Sequence, residues 1–283
     1  MQRIRKYLDL VKFSHTVFAL PFALTSMLIA AGGLPSAWTI AWILFAMVCA
    51  RTMAMTFNRI VDVRFDAENP RTANRPTVTG EVTLGSAWAL WGLSSFGLFL
   101  SAAMLNPTCL ILCPPVWLVL NGYSLCKRFT AWTHLVLGLA LGLAPFGAWV
   151  AVTGRIEWAP IPLCLAVMFW VAGFDILYAL QDEEVDRTLG LSSLVTRFGP
   201  KRAILVSRIL HLLTVLVLVE FGEVLDLGPY YFGGVGLVAL ILLLEQSLVS
   251  AEDRSNVGIA FMNANAAISL TLLIATCLDL FFA

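Results

Sequence analysis

Charge is scarce in this chain: Asp, Glu, Lys and Arg make up 13% of its 283 residues, against 59% hydrophobic ones. A soluble domain carries about a quarter charged residues and about half apolar ones. A water-solvated globule is therefore excluded, and a mean hydropathy of +0.86 makes the bilayer the expected solvent. Excess charge of one sign is missing too: 18 Lys and Arg offset 18 Asp and Glu, so electrostatics point to no nucleic-acid partner. The six cysteines, Cys49, Cys109, Cys113, Cys126, Cys164 and Cys277, lie in or beside apolar stretches. Cys109 and Cys113 stand four apart, but no further cluster completes a zinc site, so apolar packing is the expected role rather than metal ligation or a disulfide.

Long apolar runs are what remains. About nine are long enough to cross roughly 30 Å of hydrocarbon as helices. They fall at residues 15–33, 37–58, 84–105, 108–125, 133–153, 160–181, 203–222, 229–247 and 256–280. The expected fold is all-α: a polytopic membrane protein forming one domain. Gly32-Gly33-Leu34-Pro35, Asn106-Pro107 and Gly228-Pro229 supply tight turns on one side, and the longer charged loops lie on the other. Arg3, Arg5 and Lys6 precede the first run, and His15, Pro21 and Thr25 interrupt it, which fits a retained helix better than a cleaved leader. With the N-terminus in the cytoplasm, Arg59, Arg64, Arg71, Arg75, Lys127, Arg128, Arg187, Arg197, Lys201, Arg202 and Arg254 share its side, and only Arg155 is clearly outside.

Two loops on that side carry the informative residues. The second run ends Asn58-Arg-Ile-Val-Asp62-Val-Arg-Phe-Asp66, and the sixth ends Asp175-Ile-Leu-Tyr178-Ala-Leu-Gln-Asp182-Glu-Glu-Val-Asp186. Asn58, Asp62 and Asp66 superpose on Tyr178, Asp182 and Asp186 at one constant offset. This register suggests an internal duplication, 15–125 and 133–247, with 256–280 as an additional helix. A spacing of four puts two carboxylates on one helical face, about 6 Å apart along the axis. Magnesium takes oxygen ligands and is normally held by one or two carboxylates together with phosphate oxygens. Two Asp pairs facing one cavity could thus clamp a diphosphate through magnesium. A single acidic helix end could simply meet lipid headgroups, but a matched pair of them is a costly feature that marks a functional path. Asp175 lies about two turns deeper than Asp182, beyond the reach of snorkelling for so short a side chain.

Cations accompany the carboxylates. Asn69-Pro-Arg71-Thr-Ala-Asn-Arg75-Pro76 offers two guanidinium forks, and Tyr123-Ser-Leu-Cys-Lys127-Arg128 offers a second cluster. Arginine suits bidentate phosphate contact and lysine supplies a point charge, although both also serve as topological signals. His15, early in the first run, is a candidate for sensing an acceptor's hydroxyl or carboxylate; His134 and His211 have no comparable context.

Asn58 to Asp66, Arg71-Thr-Ala-Asn-Arg-Pro76 and Asp175 to Asp186 resemble the signature loops of the UbiA superfamily of intramembrane prenyltransferases, over nearly the whole chain. Members usually open the first loop Asn-Asp, where this chain has Asn58-Arg59 and so one carboxylate fewer. That variant, the segment Lys12-Phe-Ser-His-Thr-Val-Phe-Ala-Leu-Pro21 and the run Gln181-Asp182 through Gly190-Leu-Ser-Ser193 resemble the MqnP-like branch, close to the 4-hydroxybenzoate polyprenyltransferases. The resemblance implies transfer of a polyprenyl group from polyprenyl diphosphate to an aromatic acid. The acceptor would be 4-hydroxybenzoate for ubiquinone or a dihydroxynaphthoate for menaquinone, in a bacterial inner membrane and with no obligate protein partner.

On that reading Asp62, Asp66, Asp182 and Asp186 hold magnesium, and Lys127, Arg128, Arg71 and Arg75 take the remaining phosphate oxygens. Asn58 and Tyr178 orient ligands or steady an allylic cation, while Asp175 and His15 are further substrate contacts. Phe13, Phe18, Phe22, Phe169, Trp170 and Phe174 are candidates for the cavity wall or for plain packing. The rival class is a cation-coupled secondary transporter, which also uses repeats and buried carboxylates. Transporter sites tend to the midplane, whereas these carboxylates stand at helix ends beside Arg and Lys. A non-catalytic quinone-binding subunit would not need four aspartates at metal-ligand spacing.

Overall fold

The computed structural model describes residues 6–7, 10–11, 16–251 and 263–283. His15, Lys12, Phe13, Arg254 and the first part of the last expected span lie outside the described residues. Every regular element among those described is helical. The long ones are α1 (Thr16–Ala31), α2 (Ala37–Val61), α4 (Leu84–Leu105), α5 (Pro107–Gly122), α6 (Thr133–Thr153), α7 (Ile161–Ala179), α10 (Pro200–Val224), α11 (Pro229–Ser247) and α12 (Asn265–Phe282). Short helices α3 (Val63–Glu68), α8 (Glu183–Thr188) and α9 (Leu194–Phe198) lie between them, with 3-10 turns at Tyr123–Arg128 and Leu180–Asp182.

Helix starts follow local chemistry. Ser36, Thr83 and Asn106 each accept a hydrogen bond from the backbone N–H three residues on, at 3.1, 3.2 and 2.9 Å. Pro107, Pro200 and Pro229 sit in first turns, where the missing N–H costs nothing. Among the described residues eight helices are long and apolar enough to cross a bilayer, and Phe18–Ala31 is a shorter apolar helix. The chain is an integral membrane protein.

α7 is the hub. Within its membrane-length segment, Ile161–Thr188, an apolar 18-residue stretch is 67% buried, against 22–44% for the matching stretches of the others, and α7 packs between α6 and α10. α1 lies on α6 and against α12, while α2 pairs with α4 at the other side. Trp170, Phe22, Phe18 and Phe174 form an aromatic cluster where α1 meets α7, with Phe22 and Trp170 centroids 5.0 Å apart. Phe18 and Phe174 also border the central cavity; Phe22 and Trp170 do not, and Phe169 packs in the cluster around Leu177 and Val195.

The α6–α7 crossing depends on small residues. A Cβ at Gly138 would stand 2.2 Å from the Met168 carbonyl oxygen, and one at Gly142 would stand 2.6 Å from that of Cys164. The four-residue spacing brings the two backbones into contact along one stripe. Gly138→Val should therefore lower the thermal midpoint of the purified protein by the equivalent of about 1–3 kcal/mol or more of overpacking. Gly92→Ala, in α4 with nothing within 4 Å of the added methyl, should leave the midpoint unchanged or slightly raised.

The helices carrying the Asp pairs differ from the expected continuous turns. α2 stops at Val61 and α3 restarts at Val63, so Asp62 is a joint with φ −98° and ψ 3°. Asp182 is a second joint between α7 and α8, with φ −102° and ψ 2°. The first joint leaves the four-residue turn intact, since the Asp66 N–H still donates to the Asp62 carbonyl at 2.8 Å.

Candidate active site

α2, α5, α6 and α7, the loop from Asn69 to Glu81 and parts of α4 enclose a cavity of about 1150 Å³. Along α2 it reaches from Asp62 down to Ile43, about 28 Å at the helical rise, close to the thickness of the hydrocarbon layer. Its deep part is apolar, walled by side chains such as Ala46, Ala50, Leu112 and Ala144. Its mouth is polar and gathers every candidate site residue except His15, which lies outside the described residues.

At that mouth each aspartate of the two matched pairs faces a cation. Arg71 forks onto Asp182, Nε donating to Oδ1 at 2.9 Å and Nη2 to Oδ2 at 2.6 Å. Arg75 Nη1 donates to Asp66 Oδ1 at 2.5 Å, and Arg128 Nη2 to Asp62 Oδ1 at 3.2 Å. Lys127 Nζ stands 3.6 Å from Asp186 Oδ2, an ion pair too long for a direct hydrogen bond. The pairing crosses the molecule: Arg71 in the loop after the first Asp pair holds the second pair, and the turn after α5 reaches both. Asn69 Nδ2 adds a 2.9 Å bond to Asp182, Asn58 Nδ2 donates to Asp62 Oδ2 at 2.7 Å, and Arg71 Nη1 donates to the Tyr178 hydroxyl at 2.8 Å.

The carboxylates are better shielded from water than their cations: Arg71 and Arg128 are exposed, and Asp62, Arg75 and Lys127 are half-buried. Asp66, Asp182 and Asp186 are all buried. Burial pushes the Asp62 carboxyl above its ordinary range, with Arg128 pulling in the opposite direction. For Arg71 burial works to lower the guanidinium's pKa, and the hydrogen bonds to Asp182 together with the nearby Asp182, Tyr178 and Asp66 oxygens outweigh it and raise it.

The donor set fits magnesium. It consists of hard oxygens, and the buried Oδ2 atoms of Asp66 and Asp186 have no hydrogen-bond partner among the described residues. No three His, Cys, Asp or Glu groups among those residues stand close enough to form a preformed cage. Magnesium does not need one, because it takes one or two carboxylates and completes its shell with water and phosphate oxygens.

Three participants went unnoticed in the sequence reading. Asn69 anchors Asp182. Arg51, half-buried in the middle of α2, lines the cavity about three turns, or ~16 Å, below Asp62. A full charge inside an apolar span was the available signal, since such residues mark ligand paths. The third is His134, at the start of α6, whose Nδ1 lies 2.6 Å from Asp175 Oδ2.

A helical bundle that collects paired carboxylates and cations over a membrane-deep apolar cavity defines an intramembrane protein for an amphiphile with an anionic head. Residues 19–267 match the UbiA prenyltransferase family. The chain belongs to that family. It is 30% identical to a 4-hydroxybenzoate octaprenyltransferase of Aeromonas salmonicida, over 86% of this chain and 84% of that one. Among solved structures, the apo UbiA homolog from Aeropyrum pernix K1 superposes with a TM-score of 0.86 at 33% identity, covering 94% of this chain and 98% of that one. A UbiA homolog from Archaeoglobus fulgidus, bound to DMAPP and Mg2+, shares the fold with a TM-score of 0.76 at 22% identity, covering 98% and 100%.

Proposed function

We propose that this protein transfers a polyprenyl group from polyprenyl diphosphate to 4-hydroxybenzoate in ubiquinone biosynthesis, with magnesium at Asp62, Asp66, Asp182 and Asp186. The observation that carries the reading is the convergence of both Asp pairs with four cations at the mouth of one apolar cavity. The relatives named for 4-hydroxybenzoate favour that acceptor over a dihydroxynaphthoate, and the metal in the Archaeoglobus homolog supports magnesium. Basic residues gathered at the Asp-bearing end favour a cytoplasmic mouth in a bacterial inner membrane. The matching joints at Asp62 and Asp182 support an origin by duplication.

Magnesium supplies charge neutralisation of the diphosphate as the allylic carbon–oxygen bond breaks. The chain's own residues do the rest. Arg71, Arg75, Lys127 and Arg128 exchange their carboxylate partners for phosphate oxygens, which Arg forks match in pairs. Asn58 and Tyr178, hydrogen-bonded to Asp62 and Arg71, keep these groups aimed into the mouth. The apolar shaft takes the isoprenoid tail and keeps the allylic cation from water. Arg51 meets the acceptor's carboxylate, which turns the ring and hydroxyl toward the diphosphate.

Purified protein in lipid should convert polyprenyl diphosphate and 4-hydroxybenzoate to the prenylated acid, and should take 4-hydroxybenzoate in preference when an equimolar dihydroxynaphthoate competes. EDTA should stop turnover and excess magnesium restore it. Preference for the naphthoate would move the protein to menaquinone synthesis, and turnover indifferent to EDTA would overturn the magnesium assignment.

A further inference from the structure

The mouth of the cavity holds one ionisable pair that the diphosphate clamp does not use. Asp175, four residues before the end of α7, faces the cavity with 21% of its side chain exposed. Behind it His134, with no exposed surface, donates from Nδ1 to Asp175 Oδ2 at 2.6 Å. The other ring nitrogen, Nε2, is buried with no hydrogen-bond partner among the described residues. No diphosphate cation forms a salt bridge with Asp175: Arg71, Arg75, Lys127 and Arg128 bridge to Asp182, Asp66, Asp186 and Asp62, and Lys127 interacts with Asp175 only through space, less strongly than with Asp186.

A buried imidazole with one satisfied nitrogen is a costly way to tie two helices together. α6 and α7 do not need such a tie, since Gly138 and Gly142 already bring their backbones into contact. What the arrangement does provide is a carboxylate fixed in direction by a ring that cannot turn, with its free edge open to the cavity. Its depth is informative. Asp175 lies about two turns below Asp182 along α7, and Arg51 lies about three turns below Asp62 along α2. An aromatic acid anchored by its carboxylate at Arg51 and reaching up toward the diphosphate passes the level of Asp175 with its ring.

We propose that Asp175 is the base that takes the ring proton in prenyl transfer, and that His134 is the positioning residue that holds it. The inference rests on the prenyl-transfer reading above. In the step, the carbon–oxygen bond of the donor breaks and its electron pair leaves with diphosphate. The ring carbon beside the hydroxyl contributes an electron pair to the new carbon–carbon bond. The proton on that carbon passes to an Asp175 oxygen, the carbon–hydrogen electron pair restores the aromatic ring, and the proton leaves Asp175 when the products depart. No oxidant or reductant is needed. A positioned base of this kind is worth about 10²–10⁴-fold.

The test uses 4-hydroxybenzoate deuterated at the ring positions beside the hydroxyl, with the full-length protein in lipid. Wild-type kcat should be insensitive to the label, because carbon–oxygen cleavage limits the rate. Asp175→Asn should lower kcat by about 10²–10⁴-fold, leave the donor KM unchanged and expose a primary isotope effect, because proton loss has become limiting. His134→Gln, which keeps a donor in place of the imidazole, should give a smaller fall in kcat with the same isotope effect. If Asp175→Asn does not fold, the isotope effect in His134→Gln decides. Unchanged kcat in the variants, or a fall without any isotope effect, overturns the inference. Failure of the wild type to form any prenylated acid would instead sink the prenyl-transfer reading itself.

Discussion

Replacing Asp62 and Asp182 together by alanine is expected to leave no measurable prenyl transfer. Each contributes carboxylate oxygens at the joint of its helix, where the backbone turns the side chain into the mouth of the cavity. Removing one such electrostatic contact in a shielded site costs about 10²–10³ in kcat. The double change should fall short of the product of the two single effects, because in the proposed mechanism both serve one diphosphate. The single variants separate the halves. Asp182→Ala strands Arg71 and Asn69, which bond to it at 2.6–2.9 Å, so donor binding should weaken along with turnover. Asp62→Ala releases Arg128 and Asn58. Asp182→Asn, which keeps the shape and loses the charge, shows whether the cost lies in charge or in packing. Calorimetry with magnesium and inorganic diphosphate gives a readout independent of turnover: binding of the two together should disappear in the double variant. A double variant retaining a tenth of wild-type turnover would remove these residues from the catalytic centre.

Much of this site was readable because charge is so scarce here. In an apolar chain, two Asp pairs at the same spacing and a constant offset stand out, and the cations beside them follow from proximity in sequence. The helical spans were legible for the same reason. The joints at Asp62 and Asp182 were not, since Val61-Asp62-Val63 and Leu180-Gln181-Asp182 contain no proline or glycine to mark a break. Tertiary bonds from Arg128, Asn69 and Arg71 hold these positions. The cations were expected on phosphate, whereas in the structure each stands against an aspartate, and charge complementarity alone does not distinguish the two partners. The pairing of His134 with Asp175 spans 41 residues and depends on the depth at which α6 crosses α7. That depth is set by Gly138 and Gly142 meeting the carbonyls of Met168 and Cys164, a contact no local pattern announces.

Arg51 was legible and overlooked, and it carries the second large prediction. An arginine at the centre of a spanning helix costs about 2.5–3.5 kcal/mol on insertion scales. If its role were only structural, Arg51→Met would be expected to insert and fold at least as well as the wild type and to keep its activity. If Arg51 holds the acceptor's carboxylate, the variant keeps its fold and loses acceptor binding. Truncating one partner of a buried, hydrogen-bonded charge pair costs about 2–5 kcal/mol, so KM for 4-hydroxybenzoate should rise by about 30-fold or more, with the donor KM unchanged. The methyl ester of the acid separates charge from shape. Wild-type protein should discriminate strongly against it, because Arg51 would be left facing a neutral group, and Arg51→Met should accept acid and ester about equally. Lysine at this position keeps the charge but not the fork, and should restore only part of the preference for the acid. Equal discrimination in wild type and Arg51→Met would place the acceptor's carboxylate elsewhere in the cavity. The ring would then no longer be held at the level of Asp175, so the same experiment also bears on the proton path.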